Sequence, residues 1–320
     1  YMDGTSNFYG VHSVTLYVDS VQVFNSTTDK VLPDENRMIN GFTDYEELTR
    51  TRRLIMRSYK LPGNRLRLLH PNENRGAVTI DEERDYHFRY VLEDNFGNRR
   101  TYQFIVKGKR QDIPEYKPEA NEMLYWNRTN VIQKPGMELV VPRYYVYEDV
   151  PLRTDMRGDS SHIAFDYILD AGRTPIHSYC DLSIGLRHMP VADTTKYYIV
   201  QKAGKWRSSM GGKYANGWIK TRVRSLGTFS VDVDTIAPQI TPIGQGGWRT
   251  SRNIRFRIKD MESGIGSYKV YIDGKFVLFG LKKGILVIQN PEKVKKGVSH
   301  KLEVTVTDQC GNMTRKEYKF

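Results

Sequence analysis

Few side chains in this 320-residue chain stand at spacings that carry chemistry. Asp260, Glu262 and Asp308 make an acidic set near the end. Glycoside hydrolysis would need two carboxylates held at a fixed separation across a cleft, which spacing along a chain does not supply. Asp94-Asn95-Phe96-Gly97-Asn98 and Asp308-Gln309-Cys310-Gly311-Asn312 offer hard oxygen ligands. Two ligands per turn fall short of the six or more that calcium takes, and the same residues suit a tight turn. His162 stands four residues before Asp166, which makes them the candidate metal pair. Trp206, Lys213, Tyr214 and Trp218 are the binding candidates. They surround Ser208-Ser209-Met210-Gly211-Gly212, and aromatic faces stack on sugar rings while Lys205, Arg207 and Lys213 meet anionic groups. The competing reading places Tyr214 and Trp218 in a core, with a hairpin loop between them.

The elements that must position these groups are strands. One pattern occurs twice: Ser13 to Asp19 is followed by His87 to Asn98, and Ser267 to Gly274 by His300 to Asn312. Each second run ends in Asp-x-x-Gly-Asn and then resumes alternation, through Tyr102 and Phe104 or Tyr318 and Phe320. Such a run is a β-hairpin, with Gly and Asn at the positive-φ positions of the turn. His87 and His300 stand at matching strand starts and read as packing residues. The copies differ by an insertion, since Asp19 to Asp94 is 75 residues and Asp273 to Asp308 is 35. Within it, 43–59 predicts a short helix capped by Thr43 or Asp44, with Glu46 or Glu47 three positions on and Leu48, Ile55 and Tyr59 as its apolar stripe. Residues 65–69 and 76–80 read as short strands.

Residues 107–118, with Pro114 and Pro118, read as a linker. Short alternating runs at 123–127, 138–142, 196–200, 217–221 and 228–233 then predict a sandwich of a different pattern. Tyr144, Tyr145 and Tyr147 read as alternating strand positions. Residues 234–240 form a compact joint, with Pro238 and Pro242 restricting its swing. The expected fold is all-β, with three consecutive β-sandwich domains. These are 1–108, immunoglobulin-like with the helical insertion; 109–235, larger; and 236–320, immunoglobulin-like.

The charge of +12 is uneven. Residues 1–108 carry 15 basic and 15 acidic side chains, 109–235 carry 18 and 15, and 236–320 carry 16 and 7. The excess sits on Arg249, Arg252, Arg255, Arg257, Lys282, Lys283, Lys293, Lys295 and Lys296, a field suited to an anionic polymer. Arg255 and Arg257 alternate with Ile254, Phe256 and Ile258, as on the wet face of a half-buried strand. No nucleic-acid motif accompanies this charge, and no run of 18 apolar residues exists to span a membrane as a helix. Cys180 and Cys310 lie in different expected domains and read as free buried thiols. Tyr1-Met2-Asp3-Gly4 is neither an initiator nor a leader, so the chain reads as a mature or excised fragment.

Residues 234–240, 260–265, 271–275 and 308–312 resemble bacterial immunoglobulin-like repeats. The order of Gly10-Val11-His12-Ser13-Val14, Pro62-Gly63-Asn64-Arg65-Leu66, Asn74-Arg75-Gly76, Asn216-Gly217-Trp218 and Val231-Asp232-Val233-Asp234-Thr235 resembles the region after the catalytic domain in envelope zinc endopeptidases of the lysostaphin type. That resemblance implies periplasmic or surface accessory modules of a peptidoglycan metallopeptidase-like protein, positioning or regulating an upstream catalytic domain absent from this chain. Zinc would belong to that missing domain. The family holds it with His-x-x-x-Asp and a later His-x-His; His162 and Asp166 fit the first, without the family's glycine context, and no two histidines here are one residue apart. No catalytic residue and no cofactor is therefore assigned to the chain. A carbohydrate-binding or adhesin-type surface protein, on peptidoglycan or an anionic envelope polysaccharide, is the second reading, and a self-contained acid–base hydrolase the third.

Overall fold

The computed structural model describes residues 11–115, 118–170, 172–251 and 253–320. Gly10, Arg252 and part of the expected linker lie outside them. The fold is nearly all β, in antiparallel sheets.

The first unit contains β1 (Ser13–Val18), β2 (Val21–Thr27), β3 (Leu69–Pro71), β4 (Asp85–Glu93) and β5 (Arg99–Lys107), in one sheet of order β3-β2-β1-β4-β5. Its second layer differs from the expected one. The insertion, not a second sheet, covers the apolar face, with Met38, Phe42, Leu61 and Leu66 packed among Leu16, Val18, Phe24 and Tyr86. The forty extra residues of this copy supply the apolar side chains that a second sheet would otherwise bring. Asp44 caps helix α1 (Tyr45–Thr51) by accepting from the Glu47 N–H at 3.0 Å, as its spacing predicts. The helix stops at Arg52, which takes a left-handed φ of 67°, so Ile55 and Tyr59 lie beyond it and exposed. Residues 76–80 form no strand, and the expected strand at 65–69 begins only at Leu69.

The middle unit is a two-sheet sandwich. Its strands are β6 (Glu122–Leu124), β7 (Asn130–Lys134), β8 (Met137–Val141), β9 (Val150–Arg157), β10 (Asp166–Asp170), β11 (Cys180–Gly185), β12 (Tyr197–Ala203), β13 (Trp206–Gly211), β14 (Lys213–Ala215), β15 (Trp218–Val223) and β16 (Gly227–Val233). Six of them, in the order β13-β12-β16-β10-β9-β6, face the five of β14-β15-β11-β8-β7. Alternate residues such as Leu139, Leu182, Ile184, Ile199, Ile219 and Phe229 fill the space between.

The third unit is also a sandwich, built from β17 (Gln239–Ile243), β18 (Arg255–Lys259), β19 (Ile265–Ile272), β20 (Lys275–Phe276), β21 (Phe279–Lys282), β22 (Ile285–Ile288), β23 (Lys301–Asp308) and β24 (Met313–Lys319). Sheet β17-β18-β22-β21 packs on β20-β19-β23-β24 around Trp248, whose indole N–H donates to the Ile243 carbonyl at 2.9 Å. Arg255 and Arg257 are exposed and Ile254, Phe256 and Ile258 buried, as the alternation requires.

The duplication is real, but its alignment needs a correction. Asp19 accepts from the His87 N–H and Asp273 from the Lys301 N–H, both at 2.9 Å. His87 therefore corresponds to Lys301, not to His300. The His300 imidazole lies instead 2.6 Å from the Asp273 carboxylate and 2.8 Å from the Lys295 carbonyl.

Both joints are bonded. Tyr147 leaves the middle unit and sits in the first unit's core, its hydroxyl donating to the Arg37 carbonyl at 2.8 Å and lying 3.1 Å from His177 Nδ1. Gly63 N–H donates back to the Tyr147 carbonyl at 2.7 Å, and Gly41 must lack a side chain because a Cβ would stand 2.6 Å from the ring. Tyr144, Tyr145 and Tyr147 are thus not strand positions: 142–149 is an irregular connection shaped around this insertion. At the other joint the Lys196 ammonium donates to the Cys310 carbonyl at 3.0 Å, and Cys310 packs with Tyr198 and Val200.

Candidate functional site

Residues 206–217, read as containing a loop, are mostly strand. Gly211 and Gly212, at φ of 64° and 146°, carry the chain from the edge of the six-stranded sheet to the edge of the five-stranded one. A side chain at Gly212 would meet Ile219 at 2.5 Å. Trp206 pairs with Ala203 at one end of this run, and Ala215 pairs with Trp218 at the other. Nine steps of roughly 3.3 Å separate Trp206 from Ala215 along the chain, up to ~30 Å. Trp206 thus belongs to the six-stranded sheet and Lys213, Tyr214 and Trp218 to the five-stranded one, so the four candidates do not form one site.

Two of them do share a surface. On β15, Ile219 and Val223 point inward, and Trp218, Lys220 and Arg222 point outward. Lys213 pairs with Lys220, Lys220 with Ser183, and Ser183 with Glu138, so these side chains form a row across the outer face. Gln133, opposite Glu138, continues it and donates to the Glu138 carboxylate at 3.0 Å. A second row holds Arg222, Asp181 and Val140. Trp218 lies over Gly185, whose missing side chain would come within 3.7 Å of the indole. The result is a groove of about 640 Å³ lined by Glu138, Asp181, Ser183, Lys213, Lys220 and Arg222. Tyr214 pairs with Ile219 and points to the opposite side, and Trp206, on the other sheet, is exposed at 81%.

The other candidates resolve individually. Imidazole Nδ1 of His162 lies 2.9 Å from Asp159, and Asp166 pairs with the Lys202 ammonium at 2.6 Å, so each has its own partner. Asp94 accepts from the Phe96 and Asn98 N–H groups and from the Asn98 amide, with Gly97 at φ 83°. Asp308 repeats this with Cys310 and Asn312 around Gly311 at φ 78°. Both turns are hairpin turns. Cys180 and Cys310 are free and buried, and burial pushes their thiols up to about 12 and about 11.

Asp308 belongs to a group that sequence reading found only in part. Its carboxylate, that of Asp260 and that of Asp234 each bring an oxygen within 4.8 Å of the others. Asp234 was not singled out, and Glu262 leaves the set to accept from the Tyr198 hydroxyl at 3.3 Å. Burial raises the Asp308 carboxyl, helped by the neighbouring charge of Asp234 and opposed by the Asn312 bonds. The three already hold backbone: Asp234 accepts from Ser263 and Ile236 N–H, and Asp260 from Glu262 and Gly264 N–H. Three carboxylates are hard oxygen donors, half of what a calcium ion takes. They tie the last strand of the middle unit to the turns of the third.

A model of the Zu5-like domain matches residues 121–234, the middle unit. No curated protein matches the chain. Among solved structures, similarity extends to a Ca2+-stabilized adhesin with which an Antarctic bacterium binds ice, at 10% identity over 97% of this chain and 89% of that one, with a TM-score of 0.19. A 1.5-MDa bacterial ice-binding adhesin follows at 10% identity, 96% and 84% coverage and a TM-score of 0.16. A third is the SGBP-B protein of the Bacteroides ovatus mixed-linkage glucan utilization locus, in complex with a mixed-linkage heptasaccharide, at 12% identity, 96% and 59% coverage and a TM-score of 0.16. No helix among the described residues is long and apolar enough to cross a membrane.

Proposed function

We propose that this chain is a non-catalytic binding protein of the cell surface, and that its middle unit holds a polysaccharide on the outer face of the five-stranded sheet. One observation carries the reading: Trp218 lies over a glycine beside a groove lined by Lys213, Lys220, Arg222, Glu138, Asp181 and Ser183. An aromatic plate covers the apolar face of a sugar ring, while charged and hydroxyl groups bond its rim. The three cations favour a polymer bearing carboxylate or phosphate, and their attraction weakens with salt.

The test is affinity electrophoresis of the whole chain in gels containing peptidoglycan fragments, an anionic polysaccharide or mixed-linkage glucan. Trp218→Ala should weaken retention about tenfold, equivalent to about 1.4 kcal/mol, and Trp206→Ala should leave it unchanged. Equal retention of wild type and Trp218→Ala would refute the assignment of the face. Accessory service to an envelope peptidase rests on the order of the sequence motifs, and the gene upstream of Tyr1 tests it.

A further inference from the structure

The first unit leaves one long strand edge open. β5 is the last strand of its sheet and pairs with β4 without a register shift from Asp85↔Lys107 to Glu93↔Arg99. Two bonds fix which of its backbone groups face outward. Gly108 N–H donates to the Arg84 carbonyl at 2.8 Å beyond one end, and Asp94 N–H to the Asn98 carbonyl at 3.1 Å beyond the other. Antiparallel pairs alternate between bonded and non-bonded. Arg100, Tyr102, Phe104 and Val106 therefore exchange bonds with β4, and Thr101, Gln103 and Ile105 turn N–H and C=O to the open side.

Edges of this kind are normally blunted. The opposite edge of the same sheet is blunted, since β3 has three residues and ends on Pro71. β5 has nine residues, no proline and no bulge. One of its faces is apolar through Tyr102, Phe104 and Val106, and the other carries Ile105 among Arg99, Thr101, Gln103 and Lys107. Tyr102 and Phe104 project past the cover of the insertion at 49% and 47% exposure, and Ile105 projects from the other face at 52%. Phe104 is held in place by stacking on Phe88 and Tyr90, with ring centroids 5.2 and 6.3 Å away.

Charge selects the occupant. Residues 95–111 carry five cations (Arg99, Arg100, Lys107, Lys109 and Arg110) and no acid. Of these, Arg99 is paired with Glu93 at 2.8 Å. A second copy adding antiparallel about Gln103 would set Arg99 against Lys107 at both ends, and like charges directly opposite are destabilising. We infer that the open edge of β5 accepts an extended segment of a partner protein as a sixth strand, acidic at its ends and β-branched in its middle. Main-chain bonds would supply affinity, and the cations would supply register and selectivity.

The experiment uses the whole chain and two labelled nine-residue peptides, Glu-Glu-Thr-Val-Thr-Val-Thr-Glu-Glu and its twin with Lys for Glu, read by fluorescence anisotropy. The acidic peptide should bind at least tenfold tighter than its twin. Gln103→Pro removes an outward N–H and spares every bond to β4, so it should weaken binding about tenfold with an unchanged circular dichroism spectrum. Should the proline disturb the strand, Ile105→Glu, which alters only an exposed side chain and sets an acid against the acidic peptide, should weaken binding about fivefold. Arg100→Glu with Lys107→Glu should reverse the preference between the twins. Equal binding of the twins, or full binding by folded Gln103→Pro, overturns the inference. So does a wild-type dimer in sedimentation that Gln103→Pro dissolves, since the occupant would then be a second copy. Displacement of the peptide by soluble glucan would equally overturn it, by assigning the edge to sugar. Trp218→Ala should leave peptide binding untouched, which separates this outcome from that of the polysaccharide face.

Discussion

Replacing Tyr147 by alanine should release the first unit from the middle one. The side chain is 3% exposed and touches both units. A buried tyrosine removes on the order of 200 Å² from water, which at ~25 cal/mol per Å² is about 5 kcal/mol, and aromatic-to-alanine changes in cores cost about 3–5 kcal/mol. The Arg37 carbonyl loses its hydroxyl donor as well. We expect a loss of about 4 kcal/mol, confined to the joint and the first unit. Gly63 N–H, bonded to the Tyr147 carbonyl at 2.7 Å, is the reporter. Its hydrogen exchange should quicken by about three decades, since every 1.4 kcal/mol is tenfold, while amides of β11 and β23 keep their protection. Tyr147→Phe keeps the ring and loses the hydroxyl, so it should cost only about 1–2 kcal/mol. Unchanged exchange at Gly63 in Tyr147→Ala would refute the view that this ring joins the units.

The duplicated turns should respond unequally to the same change. Asp308→Ala strips three donors of their acceptor at a site 4% exposed and should cost about 3 kcal/mol, whereas Asp94→Ala, in an open turn, should cost markedly less, both by urea denaturation. Ala at Gly97 or Gly311, each at φ near 80°, should cost about 1–2 kcal/mol by the same measurement. Acid titration should expose Glu35, which the Arg67 guanidinium and the Leu32 N–H hold at about 2. Its folded value lies below its unfolded one, so its contribution is present above the ordinary carboxylate range and lost as pH falls toward about 2. Glu35→Gln should flatten that part of a melting-temperature profile. Finally, a thiol reagent at pH 8 should label neither Cys180 nor Cys310 in the folded chain and both in urea, because burial holds both thiols protonated.

What sequence reading recovered was local. The Asp-x-x-Gly-Asn turns, the Asp44 cap and the alternation of Arg255 and Arg257 all depend on neighbours within a few positions, and all stand in the structure. What it missed was set by distant partners. Gly211-Gly212 looks like a loop signal, yet here the pair steps a strand from one sheet to the other. Tyr147 fits an alternating pattern while its ring fills a neighbour's core, a role whose trace in the sequence is the glycine at position 41, 106 residues away along the chain. The polar face was half legible: Trp218 and Lys213 were named, but the register that adds Lys220, Ser183 and Glu138, and turns Tyr214 away, comes from pairing. His87 and His300 were equated from sequence alone, and one residue of slip moved the correspondence to Lys301.

The buried turn at Asp308 bears on how chains of this kind can grow. A copied unit brings its Asp-x-x-Gly-Asn hairpin whether or not anything abuts it, and in the first unit that hairpin simply points into water. It becomes a coupling where the end of the preceding unit abuts it, as here: the Asn312 amide donates to the Asp234 main-chain carbonyl at 3.0 Å, and Ser263, outside the hairpin, donates to the Asp234 carboxylate. Shuffling such units would thus produce stiff or loose successions according to how closely the end of the preceding unit meets that hairpin.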